Sequence, residues 1–256
     1  MMKSESIAAI KLKLADISTL EDPYIQTLRQ DNRQGVQKLL LQLEKRFAKE
    51  MALKEKFLEM QEFELAGYQN GYQFIAGIDE VGRGPLAGPV VSAAVILPKD
   101  IEILGLNDSK QLSEQKRNQL AESIKKQALS IGIGIVSPAE IDKINIYQAS
   151  KVAMMQAVAN LNVQPDYLLI DAMNLDLAIP QEKLIKGDAR SNSIAAASII
   201  AKVYRDELMK EYHEQYPHYG FNKNAGYGTK LHLDGLKDYG ITPIHRLTFA
   251  PVKNYL

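Results

Sequence analysis

Cysteine is absent from the chain, which excludes disulfides and thiolate metal sites. Histidine is scarce, and His213, His218, His232 and His245 show no metal-ligand spacing. Any bound metal is therefore expected to be a hard ion held by oxygen. Neither sign of charge is in excess, with 31 basic residues against 31 acidic ones. A partner rich in phosphate would have to be gripped by a local patch, since no global basic field exists to draw it in. No apolar run approaches the roughly 20 residues that a membrane-spanning helix needs. The amino terminus has no signal-peptide pattern either. A cytoplasmic protein with no membrane attachment, monomeric by default, is the expectation.

What is present divides in texture. A hydrophobic share of 46% over 256 residues suffices for one large domain or a domain with an appendage. Ile7, Ile10, Leu14 and Ile17 recur at helical spacing, as do Val36, Leu40, Leu43 and Phe47. Asp22-Pro23 reads as an N-cap followed by proline at the first helical position. No strand signal or glycine turn precedes Gly67, so residues 1–70 are expected to form a small all-helical domain around their own apolar stripe. Residues 71–256 alternate strands with helices, the pattern of a mixed α/β layer architecture. Ser113 and Ser137-Pro138-Ala139-Glu140 each open a helix. Ile131, Ile133 and Ile135 alternate as in a half-buried strand, and Tyr147 to Leu161 reads as helical. Ser191 to Tyr216 reads as a long helix whose early small residues, Ala195, Ala196, Ala197 and Ser198, suit close packing on a sheet.

Three strands are expected to end in acids: Asp79-Glu80, Asp171 and Asp188. Neighbouring strand ends lie about 5 Å apart, so three tips can converge on one pocket. Four carboxylates together repel one another, and divalent cations relieve that repulsion. Two such ions roughly 4 Å apart make a phosphoryl-transfer site. On pattern alone Asp79-Glu80 reads equally as a metal site and as a solvated acidic turn, and turn caps are the lesser alternative for Asp171 and Asp188. Asp79 and Glu80 raise a further difficulty, because successive strand residues point to opposite faces. They can share a site only if the chain twists or bulges, which Gly82 and Gly84 permit. Gly77 to Gly84 also has the outline of a nucleotide phosphate loop, but Arg83 and Gly84 stand where Lys and Ser or Thr are required. A nucleotide-dependent phosphotransferase is therefore disfavoured.

The motifs then form an ordered series: GIDEVGRGPLAGPVVSAAVIL, LNDSKQLSEQKR, LLIDAMNL, KGDARSNSIAAASIIAKVYRD, NAGYGTKLH, and HRLTF followed by APV. In this order, over residues 72–252, the chain resembles bacterial ribonuclease HII, of the ribonuclease H superfamily. The helical first 70 residues resemble the extension of some Gram-positive members. The resemblance implies a ribonuclease H-like mixed sheet flanked by helices. It implies an endonuclease acting on the RNA strand of RNA·DNA hybrids and cutting 5′ to single ribonucleotides in duplex DNA, which leaves 3′-hydroxyl and 5′-phosphate ends. Carried over by position, Asp79, Glu80, Asp171 and Asp188 would be the catalytic, metal-binding acids for Mn²⁺ or Mg²⁺, two ions per site. Gly82, Arg83 and Gly84 would read the 2′-hydroxyl, since backbone without β-carbons can approach a ribose closely. Tyr227, by itself an ordinary loop aromatic, would stack on the next sugar. Lys110 and Lys202 would contact phosphates, within a local patch that also counts Lys183, Lys186, Arg190 and Arg205. Ser191 and Ser193 read as helix caps, and His232 and His245 as structural. The rival is a protein that binds the same duplex without cutting it, which would gain nothing from four negative charges.

Overall fold

The computed structural model describes residues 5–256. Packing divides the chain between Lys56 and Phe57. The first unit contains α1 (Ile7–Ala15), α2 (Pro23–Arg29) and most of α3 (Gln34–Glu59). The Ser6 hydroxyl accepts from the Ala9 amide and starts α1; the Asp22 carboxylate accepts from the Tyr24 amide and starts α2. Ile10, Leu14, Ile25, Leu28, Val36, Leu40 and Leu43 form a core of this unit's own residues, as the apolar stripe suggests.

The second unit begins with the end of α3 and continues through α4 (Glu62–Gln69) to β1 (Ile75–Val81) and β2 (Val90–Ile96). It proceeds through α5 (Glu114–Gln127), β3 (Ser130–Val136), α6 (Pro138–Ala159), β4 (Tyr167–Asp171), β5 (Gln181–Leu184), α7 (Asn192–Gln215), α8 (Phe221–Asn224) and α9 (Lys230–Tyr239). The five strands lie in the order β3-β2-β1-β4-β5. The β1–β2 and β2–β3 pairs are antiparallel; β1–β4 and β4–β5 are parallel. The second unit is thus a mixed α/β layer structure.

One face of the sheet packs Ala76, Ile78, Ala94, Ile96, Leu168 and Ile170 against Met154 and Ala157 of α6. The other packs Ala93 and Val95 against the small residues Ala195, Ala196 and Ala197 of α7, with Leu120 and Ile124 of α5 behind. Small residues let α7 lie close. A β-carbon added at Gly77 would stand 2.0 Å from the backbone carbon of Ser193.

Two local expectations are corrected. In β3 the fully buried positions are Ser130, Gly132, Gly134 and Val136, while Ile135 is exposed. Alternation was right, and both faces are covered: Ile131 and Ile133 pack on the core of the α7 side, while Gly132 and Gly134 face α6, which crosses so close that a β-carbon on Gly134 would stand 1.9 Å from the Ala153 carbonyl oxygen. The helices read at Ser137 and Tyr147 are both present: α6 is two helices meeting at Asn145, whose φ of 66° breaks the spiral and whose side chain accepts from the Gln148 amide. The acids do not all sit at strand tips. β1 continues through Asp79 and Glu80 to Val81, and β5 stops at Leu184, leaving Asp188 in a short 3-10 turn, Gly187–Ala189.

Candidate active site

Parallel pairing of β1 with β4 sets Ile78 level with Ile170, so Asp79 and Asp171 follow side by side on adjacent strands. Both lie on the α7 face. Gly77, two residues before Asp79, meets the backbone of Ser193 and Ile194, and Leu169, two before Asp171, packs with Ile194. Asp188 is brought in by the turn after β5, where the Gly187 amide donates to Asp171 Oδ1 at 2.7 Å. Glu80 falls on the opposite face by alternation, with no bulge. It reaches the same corner at the carboxyl ends of β1 and β4, where Arg83 Nη1 lies 3.5 Å from its Oε1.

The electrostatics record the crowding. Asp79 is 6% exposed, and burial pushes its carboxyl well above the ordinary range, reinforced by Glu80 and Asp171 and opposed by the Ser198 hydroxyl. Burial raises Glu80 to about 7, with Arg83 opposing and Asp171 adding to the rise. Asp171 is raised by burial against the pull of the Gly187 amide and Lys110. Asp188 is raised to about 6 by burial, then by the negative charge of Asp108. Among the described residues, no three acidic or histidine side chains are drawn up in ready-made coordinating positions. The four acids share one corner, with Asp79 Oδ1 and Asp171 Oδ1 held by the amides of Glu80 and Gly187.

Lys110 reaches this corner: its charge acts on Glu80, Asp171 and Asp188. It is carried by a 3-10 turn, Ser109–Gln111, that Asp108 caps by accepting from the Lys110 amide at 2.9 Å. Ser109 and Ser198 join by their hydroxyls at 3.0 Å and tie that turn to α7. Lys202 does not join the acids. It pairs with Asp206 at 2.5 Å and lines a polar groove with Arg117, Lys210 and Asn222.

Gly82 takes φ +94°, the left-handed region that favours glycine, and a β-carbon there would strike the Arg205 side chain at 2.2 Å. Gly84 is open except for the Tyr227 ring, 3.3 Å from where its β-carbon would stand. The loop and a half-exposed tyrosine therefore form one surface beside the acids. The expected basic patch needs correction at one position. Arg205 is 1% exposed and spends its guanidinium on the carbonyls of Pro89, Ala225 and Ala87. Arg190 stays exposed, its guanidinium over the Phe63 ring.

Sequence reasoning passed over three residues. Asp108 shares a hydrogen bond with Asp188, and its place in Asp-Ser-Lys was the available signal. Glu64 of α4, 4% exposed, accepts from the Ser191 hydroxyl at 2.7 Å and the Ser193 amide at 2.8 Å, so a buried carboxylate occupies the start of α7. Nothing local in the sequence announces that contact. Arg246, 0% exposed, lies beneath the glycine loop.

Ser191 caps α7 through the Ile194 amide, as read. His232 and His245 are buried and meet through their Nε2 atoms at 3.0 Å. Burial and the neighbouring His232 hold His245 down at about 4. A depressed histidine favours the neutral ring in the fold. Its stabilising contribution is whole above the unfolded value of about 6.5 and drains as pH falls towards 4, by at most about 3 kcal/mol. Urea midpoints of the wild type and His245→Gln should therefore converge across that window. A gap that stays constant would count against the neutral pair.

Among the described residues, no helix is long and apolar enough to cross a membrane. The mixed five-stranded sheet has counterparts among solved structures. Ribonuclease H2 from Pyrococcus horikoshii OT3 is similar at TM-score 0.63 and 28% identity, over 71% of this chain and 96% of that one. Bst-RNase HIII in complex with Mn²⁺ shares the fold at TM-score 0.59 and 21% identity, over 75% of this chain and 71% of that one. The molecule is accordingly a nuclease of the ribonuclease H class, a hydrolase that acts on nucleic acid. The family model for ribonuclease HII matches residues 76–252, and that for the ribonuclease HII N-terminal domain matches residues 6–68. Ribonuclease HII of Enterococcus faecalis (strain ATCC 700802 / V583) is 60% identical over 256 residues, all of both chains. The chain belongs to the ribonuclease HII family.

Proposed function

We propose that this chain cuts the RNA strand of RNA·DNA hybrids and nicks duplex DNA 5′ to single ribonucleotides, leaving 3′-hydroxyl and 5′-phosphate ends. The observation that carries this reading is the adjacency of the Gly82-Arg83-Gly84 loop to the acid corner, with Tyr227 closing the loop's open side. A ribose 2′-hydroxyl is the group that separates RNA from DNA, and a backbone surface free of β-carbons can meet it at hydrogen-bonding distance. Tyr227 offers a flat apolar face to the neighbouring sugar.

Asp79, Glu80, Asp171 and Asp188 are the metal-holding residues in this reading. They suit a hard dication: all donors are carboxylate oxygen, and Glu80 Oε2 is buried with no hydrogen-bond partner. Mg²⁺ or Mn²⁺, as a pair, would supply charge neutralisation and activation of water there. Lys110 is placed to hold the scissile phosphate against the acids. Lys202, paired with Asp206, serves the flanking duplex through the groove it lines with Arg117 and Lys210. Residues 1–70 act as a helical extension to the catalytic part, residues 71–256, and a monomer in the cytoplasm suffices for this chemistry.

The test is a labelled duplex with one ribonucleotide, incubated with Mg²⁺ or Mn²⁺. A single nick on its 5′ side is expected, and the all-DNA duplex of the same sequence should survive. No nick in either metal, or equal cutting of both duplexes, overturns the proposal.

A further inference from the structure

Beneath the glycine loop lie two buried guanidiniums that no carboxylate pairs. Arg205 hydrogen-bonds Pro89, Ala87 and Ala225, and Arg246 hydrogen-bonds Gly82, Arg83 and Gly88. Burial lowers Arg205 to about 10; burial and then the neighbouring Arg205 lower Arg246 to about 9. Two adjacent buried cations oppose folding unless backbone oxygens satisfy them. Their retention beneath one loop calls for a reason beyond packing.

The bonding pattern supplies one. Arg246 Nη2 donates to the Gly82 carbonyl at 2.5 Å and Nη1 to the Arg83 carbonyl at 2.9 Å. Its Nε and Nη2 both grip the Gly88 carbonyl, at 3.0 and 2.8 Å. The Phe249 ring lies against the guanidinium, 5.0 Å from centroid to carbon. In a trans peptide the C=O and the following N–H point in opposite directions. Drawing the Gly82 and Arg83 carbonyls inward therefore turns the Arg83 and Gly84 amides outward, to the side where Tyr227 stands. Two successive outward amides are donors of the kind that hold an oxygen in a small concavity. Arg205 packs under Gly82 but spends its bonds on the loop's far end and touches neither of those carbonyls.

We propose that Arg246 is a positioning residue for ribose recognition, fixing the Arg83 and Gly84 amides so that the loop tells a ribonucleotide from a deoxyribonucleotide. This rests on the functional reading above. Lysine cannot reproduce the planar fork that spans three carbonyls. The experiment compares full-length Arg246→Lys, Arg205→Lys and wild type on two readouts: the cutting rate at a single ribonucleotide, and affinity for the all-DNA duplex by fluorescence anisotropy without metal. For Arg246→Lys the cutting rate should fall about 10²-fold, the penalty of a roughly 1 Å misplacement, with DNA affinity unchanged. Arg205→Lys should melt at lower temperature yet keep its cutting rate where it remains folded. The role is overturned if Arg246→Lys cuts like the wild type, if cutting and DNA affinity fall together, or if Arg205→Lys shows the same selective loss. Should Arg246→Lys not fold, Phe249→Leu, which removes the ring against the guanidinium and keeps an apolar side chain in the clusters it packs on, takes its place. A selective loss of cutting then supports the role, and no loss or a parallel loss overturns it. Wild-type nicking is the control: its failure would remove the functional reading, whereas a failed variant result removes only Arg246's part.

Discussion

Asp79→Asn is expected to abolish cutting and, at the same time, to raise the melting temperature. Its carboxylate is nearly sealed from water and faces Glu80 and Asp171, so its ionised form is held at a disadvantage in the fold. A carboxyl raised in the native state takes up a proton there before it does in the unfolded chain. Its ionisation at neutral pH therefore works against folding. Asparagine keeps an oxygen for the Glu80 amide, which Asp79 Oδ1 now accepts at 2.7 Å, and removes the charge. In chelating buffer at neutral pH the gain should be on the order of 1–2 kcal/mol, equivalent to roughly 2–8 °C at this chain length. It should shrink as pH falls towards the ordinary carboxylate value of about 4, where the wild type is protonated too. Cutting should drop by three or more decades, about 4 kcal/mol of barrier. Retained cutting would remove Asp79 from the site, and a lower melting temperature would make it a structural residue.

Gly77→Ala should have the largest effect on stability. The added carbon would stand 2.0 Å from Ser193 C, 2.3 Å from Ile194 N and 2.3 Å from Ser193 O, all of them backbone. No rotamer change relieves such a contact, so α7 must lift from β1. Its first turn resists through the Ser191 cap, the Glu64 carboxylate and the Asn192 amide bonded to the Met60 carbonyl at 3.1 Å. Alanine's lower unfolded-state entropy returns under 1 kcal/mol. The net loss should be at least about 3 kcal/mol, or about 10 °C in melting temperature by calorimetry. A variant that melts within about 2 °C of wild type would mean that α7 slides freely on the sheet.

The legible parts of the molecule were those set by local pattern. Caps at Asp22, Ser113, Ser137 and Ser191 are visible because the capping side chain and the helix it starts lie within a few residues. The acids could be read from apolar runs that end in Asp or Glu, and the structure brings those four to one corner of the sheet. The end of β5 was not legible: Lys186 takes φ 56°, and no glycine at that position advertises the left-handed turn. Nor were the faces of β3, since a period of two is silent about which side is buried. Gly132 and Gly134 go inward because α6 approaches them, a tertiary fact. Arg205 read as a surface cation, and Arg246 was passed over, because charge is seldom buried. Backbone carbonyls make their burial tolerable, most of them in a loop more than 100 residues away.

The hold of Glu64 on the first turn of α7 has a practical bearing on where the protein can be divided. A cut at the gap between the two family models, after residue 68, would sever that carboxylate from the amide and hydroxyl it satisfies. It would also strip away Phe57 and Met60, which help to roof the α7 side of the sheet. A self-sufficient nuclease fragment should start ahead of Phe57, where packing itself changes hands in the last turn of an unbroken helix.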